Sequence, residues 1–374
     1  MSARKRIVVT GLGLVSPHGG VDALSTGRLG QGSALSVPLA NGTRLRSFED
    51  FDSSRFVPPR LKRKIDPFVV YGLSAAGQCL EDSAVAAGRI DKASVGVFVG
   101  NCLGGWGYIE PQVRGLHVGG VKEMSPYVAT AWFPAALQGQ ISLEHGIKGL
   151  SKTFSARNVA GLQAIGNGIA ALQSGRVKAA LCGAAEGLNT PYVRAVLGHP
   201  SSPASARGAV LGEEVRTDLA EGAAFLMLEE REHALARGAR VYCEVSGAAD
   251  GFCPSESLIP RVMYDALKQA AGDAGNPALL VRDGMLAKES EWVRHVVGDM
   301  APTVTVVNSK PAYGHMFALS GVFEAVLAAR HLQSGTLTAS LYESGDRPDA
   351  GCSAAIIQRM SPRGGIGTLG LVQC

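Results

Sequence analysis

Short apolar runs alternate along the chain with longer segments in which apolar residues recur every three or four positions. "RIVVTGLGLVSP" is a buried-strand pattern ended by Gly and Pro. "DPFVVYGLSAAGQCLEDSAVAAG" (Asp66 to Gly88) has helical periodicity, with an Asp-Pro start and a Gly stop. "SVGVFVGN" predicts a strand, and "TFSARNVAGLQAIGNGIAALQSG" (153–175) a strand end, a polar turn and a helix rich in small residues. "VKAALCGAAEG" is a strand again, "GAAFLMLEEREHALARG" a strand then a helix, and "RVYCEVSGAADG" a further strand. Pro260 to Gly275 predicts a helix, "PALLVRDG" and "TVTVVNSK" strands, and "GHMFALSGVFEAVLAARHLQSG" a helix before the strands "CSAAIIQRM" and "GIGTLGLV". Apolar β-runs separated by helices imply parallel sheets covered on both faces.

The pattern also repeats. "FSARNVAGLQAIGNGIAALQSGRVKAALCG" and "VNSKPAYGHMFALSGVFEAVLAARHLQSG", the latter followed by "GCSAAIIQ", share one layout of strand, polar turn, Gly/Ala-rich helix ending in Gln-Ser-Gly, and strand. Two such halves, 1–240 and 241–374, place the boundary after the helix ending "HALARG". Helix N-termini converging from both halves would form one pocket lined by two elbows. Small residues let those helices pack closely between two sheets.

Composition narrows the class. A chain of 374 residues exceeds what one small core supports, and 46% hydrophobic with 18% charged residues describes a packed α/β protein. The net charge of +4 is mild. Its densest basic run, "RFVPPRLKRKID" (Arg55 to Asp66), reads as a solvated face before a helix, with a patch for an acidic carrier protein as the alternative; nucleic acid is not expected. Seven cysteines lack CxxC spacing and several sit in apolar runs, which fits a reducing cytoplasm. The opening "MSARKRIVVTGLG" offers no signal-peptide core, and no run reaches the length of a membrane span, so a soluble cytoplasmic protein is expected. No metal-ligand spacing stands out. "GLGLVSPHGG" lacks the helix start and downstream acid of a dinucleotide loop.

The turn in 153–175 has the shape of a nucleophile elbow, yet its candidates Ser155, Arg157 and Asn158 include no obvious attacking group. On spacing alone Asn158 reads as a helix N-cap. His315, before a helix, equally reads as a capping or packing residue, and the other histidines are scattered.

Three segments carry a resemblance across nearly the whole chain. "IVVTGLGLVSPHG", the elbow, and "KPAYGH" (Lys310 to His315) resemble the β-ketoacyl synthase branch of the thiolase fold. That resemblance implies a five-layered αβαβα architecture of two pseudo-repeated halves. It also implies an elbow Cys that attacks an acyl thioester, with two His that stabilise the oxyanion and assist decarboxylation. Here Asn158 stands at the Cys position and Asp283, in "VRDGM", at the first His, while Lys310 and His315 are kept. A carboxamide forms no thioester, and Asp283 puts negative charge where a donor is needed.

The departures resemble those of the chain length factor of type II polyketide synthases, through "WFPAALQGQISLEHGIKG" (Trp132 to Gly149), "NVAGLQA", "RDG" and the closing "RGGIG". That family usually has Gln at the Cys position and more often loses the second His than keeps it, so Asn158 and His315 both differ. The resemblance implies no cofactor on this chain, a heterodimer with an active ketosynthase, and an acyl carrier protein bearing phosphopantetheine. It implies an interface segment at 125–145 with Trp132 and Phe133. It also implies a tunnel gate after Gly104 and Gly105 at Trp106, Ile109 and Val113, which share one face if the segment is helical, with Pro111 leaving the local geometry open. The bland alternative is ordinary interface packing. Two other functions stay open: a malonyl-acyl carrier protein decarboxylase for priming, and a homodimeric protein that binds acyl carrier protein without processing it.

Overall fold

The structure, a computed structural model, describes residues 5–25, 34–85, 90–199, 214–272, 279–300, 304–334 and 352–374. Thirteen strands are formed by these residues: β1 Ile7–Val15, β2 Ala34–Pro38, β3 Arg44–Phe48, β4 Val95–Gly100, β5 Ser151–Phe154, β6 Ala179–Glu186, β7 Leu219–Ala220, β8 Gly222–Glu230, β9 Cys243–Phe252, β10 Leu279–Arg282, β11 Thr305–Asn308, β12 Ala354–Met360 and β13 Gly365–Val372. Ten of them form one ladder in the order β11-β10-β12-β13-β9-β1-β8-β6-β4-β5.

The two arms of that ladder are built alike. In the first arm β1 runs antiparallel to β8, β8 antiparallel to β6, and β6 and β5 both parallel to β4. In the second, β9 runs antiparallel to β13, β13 antiparallel to β12, and β12 and β11 both parallel to β10. The arms meet through a short antiparallel pairing, Ile7 to Val245 through Val9 to Cys243. The repeat read from the Gln-Ser-Gly helices therefore corresponds to repeated strand connectivity.

Two helices lie between the arms. Ala160–Gln173 joins β5 to β6, and Leu319–Leu332 runs from after β11 toward β12. Their small residues set the approach: a Cβ on Gly161 would lie 2.2 Å from the carbonyl oxygen of Ala318, so only glycine fits. The largest core cluster joins both helices to both arms, from Val9 and Leu226 through Ile165 and Val322 to Ile357 and Leu369. Pro67–Asp82 covers the outer face of the first arm and Ile259–Ala271 that of the second, completing five αβαβα layers.

Element boundaries shift in two places. The helix expected over Asp66 to Gly88 starts as expected, with the Asp66 carboxylate accepting from the Phe68 N–H, but stops at Asp82. Ala84 takes a φ of +57°, a left-handed turn that ends the ladder; residues 86–89 lie outside the described part. The second outer helix ends at Ala271, followed by Gly272 at φ +56°, and 273–278 also lie outside it. The hydrophobic pattern did not reveal the side sheet β2-β3-β7, because β2 is largely exposed and β7 has only two residues.

None of the seven cysteines is in a disulfide. Among the described residues no helix is long and apolar enough to cross a membrane, and no cluster of three His, Cys, Asp or Glu is placed to hold a metal. In the basic run, Arg55, Arg60, Lys62 and Arg63 point to solvent, the solvated face expected of it.

Candidate functional site

The elbow is a single turn of 3₁₀ helix, Arg157–Val159, leading into Ala160–Gln173. Arg157 holds a φ of +54°, costly for a side chain with a Cβ, and its guanidinium is tied 3.0 Å from Glu214 Oε1. That turn drives Asn158 inward, where it is fully buried. Its Nδ2 donates to the Met360 carbonyl at 3.0 Å and to Asp283 Oδ2 at 3.3 Å. The N-cap reading of Asn158 is thereby corrected. Val159 occupies the cap, and the Asn158 amide reaches across to the second half.

Asp283 follows β10 and is also fully buried. The backbone N–H groups of Asp283 and Gly284 donate to the two oxygens of Glu289 at 2.8 and 2.6 Å, clamping the "RDG" loop. Gly284 at φ +72° has Asn308 where a Cβ would stand, so the loop admits no larger residue. Burial, reinforced by the Asp283 charge, pushes the Glu289 carboxyl up to about 7.

Lys310 lies in the short helix Lys310–Tyr313 after β11, with Nζ 3.4 Å from Glu324 Oε1. The Ser309 hydroxyl donates to the same oxygen. Burial first, then the neighbouring Arg359, hold the Lys310 ammonium well below its usual range. His315 is bonded through its backbone to the side sheet: its N–H donates to the Asp218 carbonyl at 2.7 Å and its carbonyl accepts from Ala220 at 3.0 Å. Its ring sits 4.5 Å from that of Phe317, and Nδ1 is buried with no hydrogen-bond partner among the described residues. Burial, then Lys310, Arg359 and Arg157, hold the imidazole far below its ordinary value, so it is neutral at pH 7.

One residue of this cluster escaped sequence reasoning. Among the described residues Arg359 is the largest fully buried side chain, with Nη1 3.7 Å from Asp283 Oδ1 and Nη2 paired to Glu324. A lone Arg in the apolar run "AAIIQRM" was the available signal. Asn158, Asp283, Glu324, Arg359 and Lys310 thus form one connected buried chain of contacts, and His315 feels its charges without bonding to Asn158.

Among the described residues no thiolate faces the elbow. The Cys102 thiol accepts from the Arg157 N–H of the elbow, but burial and then Glu186 push it up to about 12. It stays protonated at neutral pH. The Asn158 amide already spends its donors on Met360 and Asp283.

The remaining expected residues lie elsewhere. Trp106, Ile109 and Val113 share the helix Trp106–Gly119, which accommodates Pro111. Trp106 stacks on Tyr192 with ring centroids 4.3 Å apart and packs on the cluster of Leu39, Leu45, Leu188 and Phe317; Ile109 is half-buried and Val113 exposed. The opposite side of this helix, at Gly107, Glu110 and Arg114, borders a cavity of about 660 Å³ together with Tyr71 and Glu221. Trp132 is 48% exposed, whereas Phe133 packs on the chain's own first-half core. The pair expected at one interface is therefore split between surface and core.

A model of the β-ketoacyl synthase N-terminal domain matches residues 4–234. The chain belongs to the β-ketoacyl synthase family. This family member is 28% identical over 367 residues to 3-oxoacyl-[acyl-carrier-protein] synthase 2 of Rhizobium meliloti, covering 87% of this chain and 86% of the relative. Its fold is that of a solved type II polyketide synthase complex, described as an acyl-carrier protein with its ketosynthase bound to the hexaketide. The two share 38% identity at a TM-score of 0.87, over 99% of this chain and 100% of that one. The ishigamide ketosynthase/chain length factor superposes with a TM-score of 0.83 over 100% of both chains at 22% identity, a likeness of fold. The chain is thus a ketosynthase-like protein of thiolase fold, similar to type II polyketide ketosynthases.

Proposed function

We propose that this ketosynthase-like chain is the non-condensing chain length factor of a type II polyketide synthase. In this reading it pairs with an active ketosynthase, and the pair shapes the tunnel in which the polyketide grows. The observation that carries the proposal is the buried Asn158, whose amide is bonded to Asp283 and Met360 where an active relative needs a free thiol. An amide nitrogen so engaged attacks no thioester, and a carboxylate beside it repels a developing oxyanion. The 38% identity to a chain of a type II polyketide complex supports the polyketide setting.

The chain itself binds no cofactor in this reading. Phosphopantetheine arrives on an acyl carrier protein held mainly by the ketosynthase. The exposed Trp132, beside small residues, is offered to that ketosynthase as an apolar anchor. Co-expression with a candidate ketosynthase, followed by co-purification and product mass, tests the whole proposal. A soluble heterodimer that makes polyketide only with both chains present is the expected result. A stable homodimer indifferent to the ketosynthase overturns it.

A further inference from the structure

Arg359 has no part in the reading above, yet it is a fully buried charged side chain beside the elbow. The guanidinium lies between the second-half sheet, from which it projects, and the central helix Leu319–Leu332. Its Cγ is so close to that helix that a Cβ on Gly321 would lie 3.2 Å from it. Asp283 and Glu324 face it as partners. The next residue, Met360, gives its carbonyl to Asn158, so the guanidinium sits one residue from one of the elbow's two anchors on the second half, and its partner Asp283 is the other. Of the two buried cations, burial drives Lys310 well down, whereas Arg359 falls only to about 10 and keeps its charge at neutral pH. Arg359 thus sets a fixed positive charge between Asp283 and Glu324.

We infer that Arg359 is a third lock on this buried cluster, beyond Asn158 and Asp283: its guanidinium fills and charge-balances the space between Asp283 and Glu324, so restoring a thiol at Asn158 does not by itself open the elbow. Admitting an acyl group would require breaking two fully buried ion pairs. Asp283 and Arg359 then act as a unit, in which the loss of one partner is worse than the loss of both. The meaning of the lock rests on the non-condensing reading, but its tests use unfolding and alkylation, which no failure of the chain-length proposal would move.

The first test is a double-mutant cycle on the full-length chain, alone or with whatever partner co-purifies. Asp283→Asn and Arg359→Met should each lower the unfolding midpoint, and the double variant should lose clearly less than the sum of the two. Arg359→Lys, which keeps the charge without the fork, should fall between parent and Arg359→Met. The second test compares Asn158→Cys with Asn158→Cys/Arg359→Gln, following iodoacetamide modification of the introduced thiol by peptide mass spectrometry. Alkylation should be at least about tenfold faster in the variant carrying Arg359→Gln, the equivalent of about 1.4 kcal/mol of access. Additive midpoints overturn the inference, as do equal alkylation rates. If the elbow variants fail to fold, the midpoint cycle still decides it.

Discussion

The Asn158 side-chain amide donates to the Met360 backbone carbonyl at 3.0 Å, joining the elbow of the first half to the last residue of β12 in the second. The two residues are 202 positions apart in sequence. This is where the two pseudo-equivalent halves converge, and the hydrogen bond ties them together there.

That relationship gives the first prediction. Asn158→Ala leaves the buried Met360 carbonyl and one oxygen of Asp283 without their donor, at a cost of about 1–3 kcal/mol in stability. Polyketide output of a reconstituted complex should nevertheless stay within a few-fold, and Asn158→Cys should give no condensation by this chain because Asp283 remains. Thermal denaturation reads the first effect and product yield the second. A fall in product of more than about a hundredfold, roughly 2.7 kcal/mol of barrier, would point instead to a decarboxylating role.

Much of this was legible in the sequence, and the reason is local. The central helices announce themselves because Gly161 and its small neighbours are forced by close helix contact, and the strands because they are buried on both faces. Asn158 and Asp283 were read as a pair of departures from a family pattern, and the fold brings them into contact. Arg359 was not read, because a charged residue within an apolar strand has no periodicity to mark its partners, which lie 35 and 76 residues away. The orientation of Phe133 was not legible for a related reason. Adjacent aromatics look alike in sequence, but the turn between two short helices sends Trp132 outward and Phe133 inward.

The split of that pair is itself testable. Trp132→Asp should abolish co-purification with the ketosynthase while leaving this chain's own fold intact, since the side chain is 48% exposed. Phe133→Ala should act in the opposite manner. It removes a ring from the first-half core and should lower stability by up to about 3–5 kcal/mol, less for its partial exposure. Pull-down and thermal melting separate the two, and a fully active, stable complex carrying Trp132→Asp would show that the interface lies elsewhere.

A pH effect follows from His18. Its buried ring donates from Nε2 to the Tyr313 carbonyl at 3.0 Å, and burial, then Arg46, lower it to about 4. Between that value and the ordinary 6.5 the unfolded chain binds a proton that the folded chain refuses. His18 therefore costs no stability above pH 6.5 and costs progressively more as pH falls through that window. The loss by pH 4 is about 3 kcal/mol at most. Buried carboxyls such as Asp66, raised to about 7, act with the opposite sign, so the comparison must be with a variant. Urea midpoints of the parent should fall more steeply than those of His18→Gln between pH 6.5 and 4.5, and parallel curves would remove the assignment.

The gate makes the sharpest functional claim. Trp106 and Ile109 lie on one face of the helix Trp106–Gly119, Val113 follows one turn on, and the 660 Å³ cavity borders the other face. Trp106 is braced rather than free: its ring stacks on Tyr192 and rests on a cluster that includes Phe317, itself in contact with His315. A braced indole resists a growing chain, whereas a swinging one would yield to it. Val113, smaller and 38% exposed, leaves room beyond the first two. Trp106→Ala and Ile109→Ala should therefore lengthen the products by whole two-carbon units in a reconstituted complex. Val113→Ala should leave the length unchanged. Each truncation removes packing that is only partly buried, so the loss of stability should stay at or below about 3 kcal/mol, small enough for the complex to survive. Product mass spectra decide it. Unchanged chain length in both the Trp106 and Ile109 variants, with the heterodimer intact, would leave this helix as ordinary interface packing and return the length-setting wall to the ketosynthase.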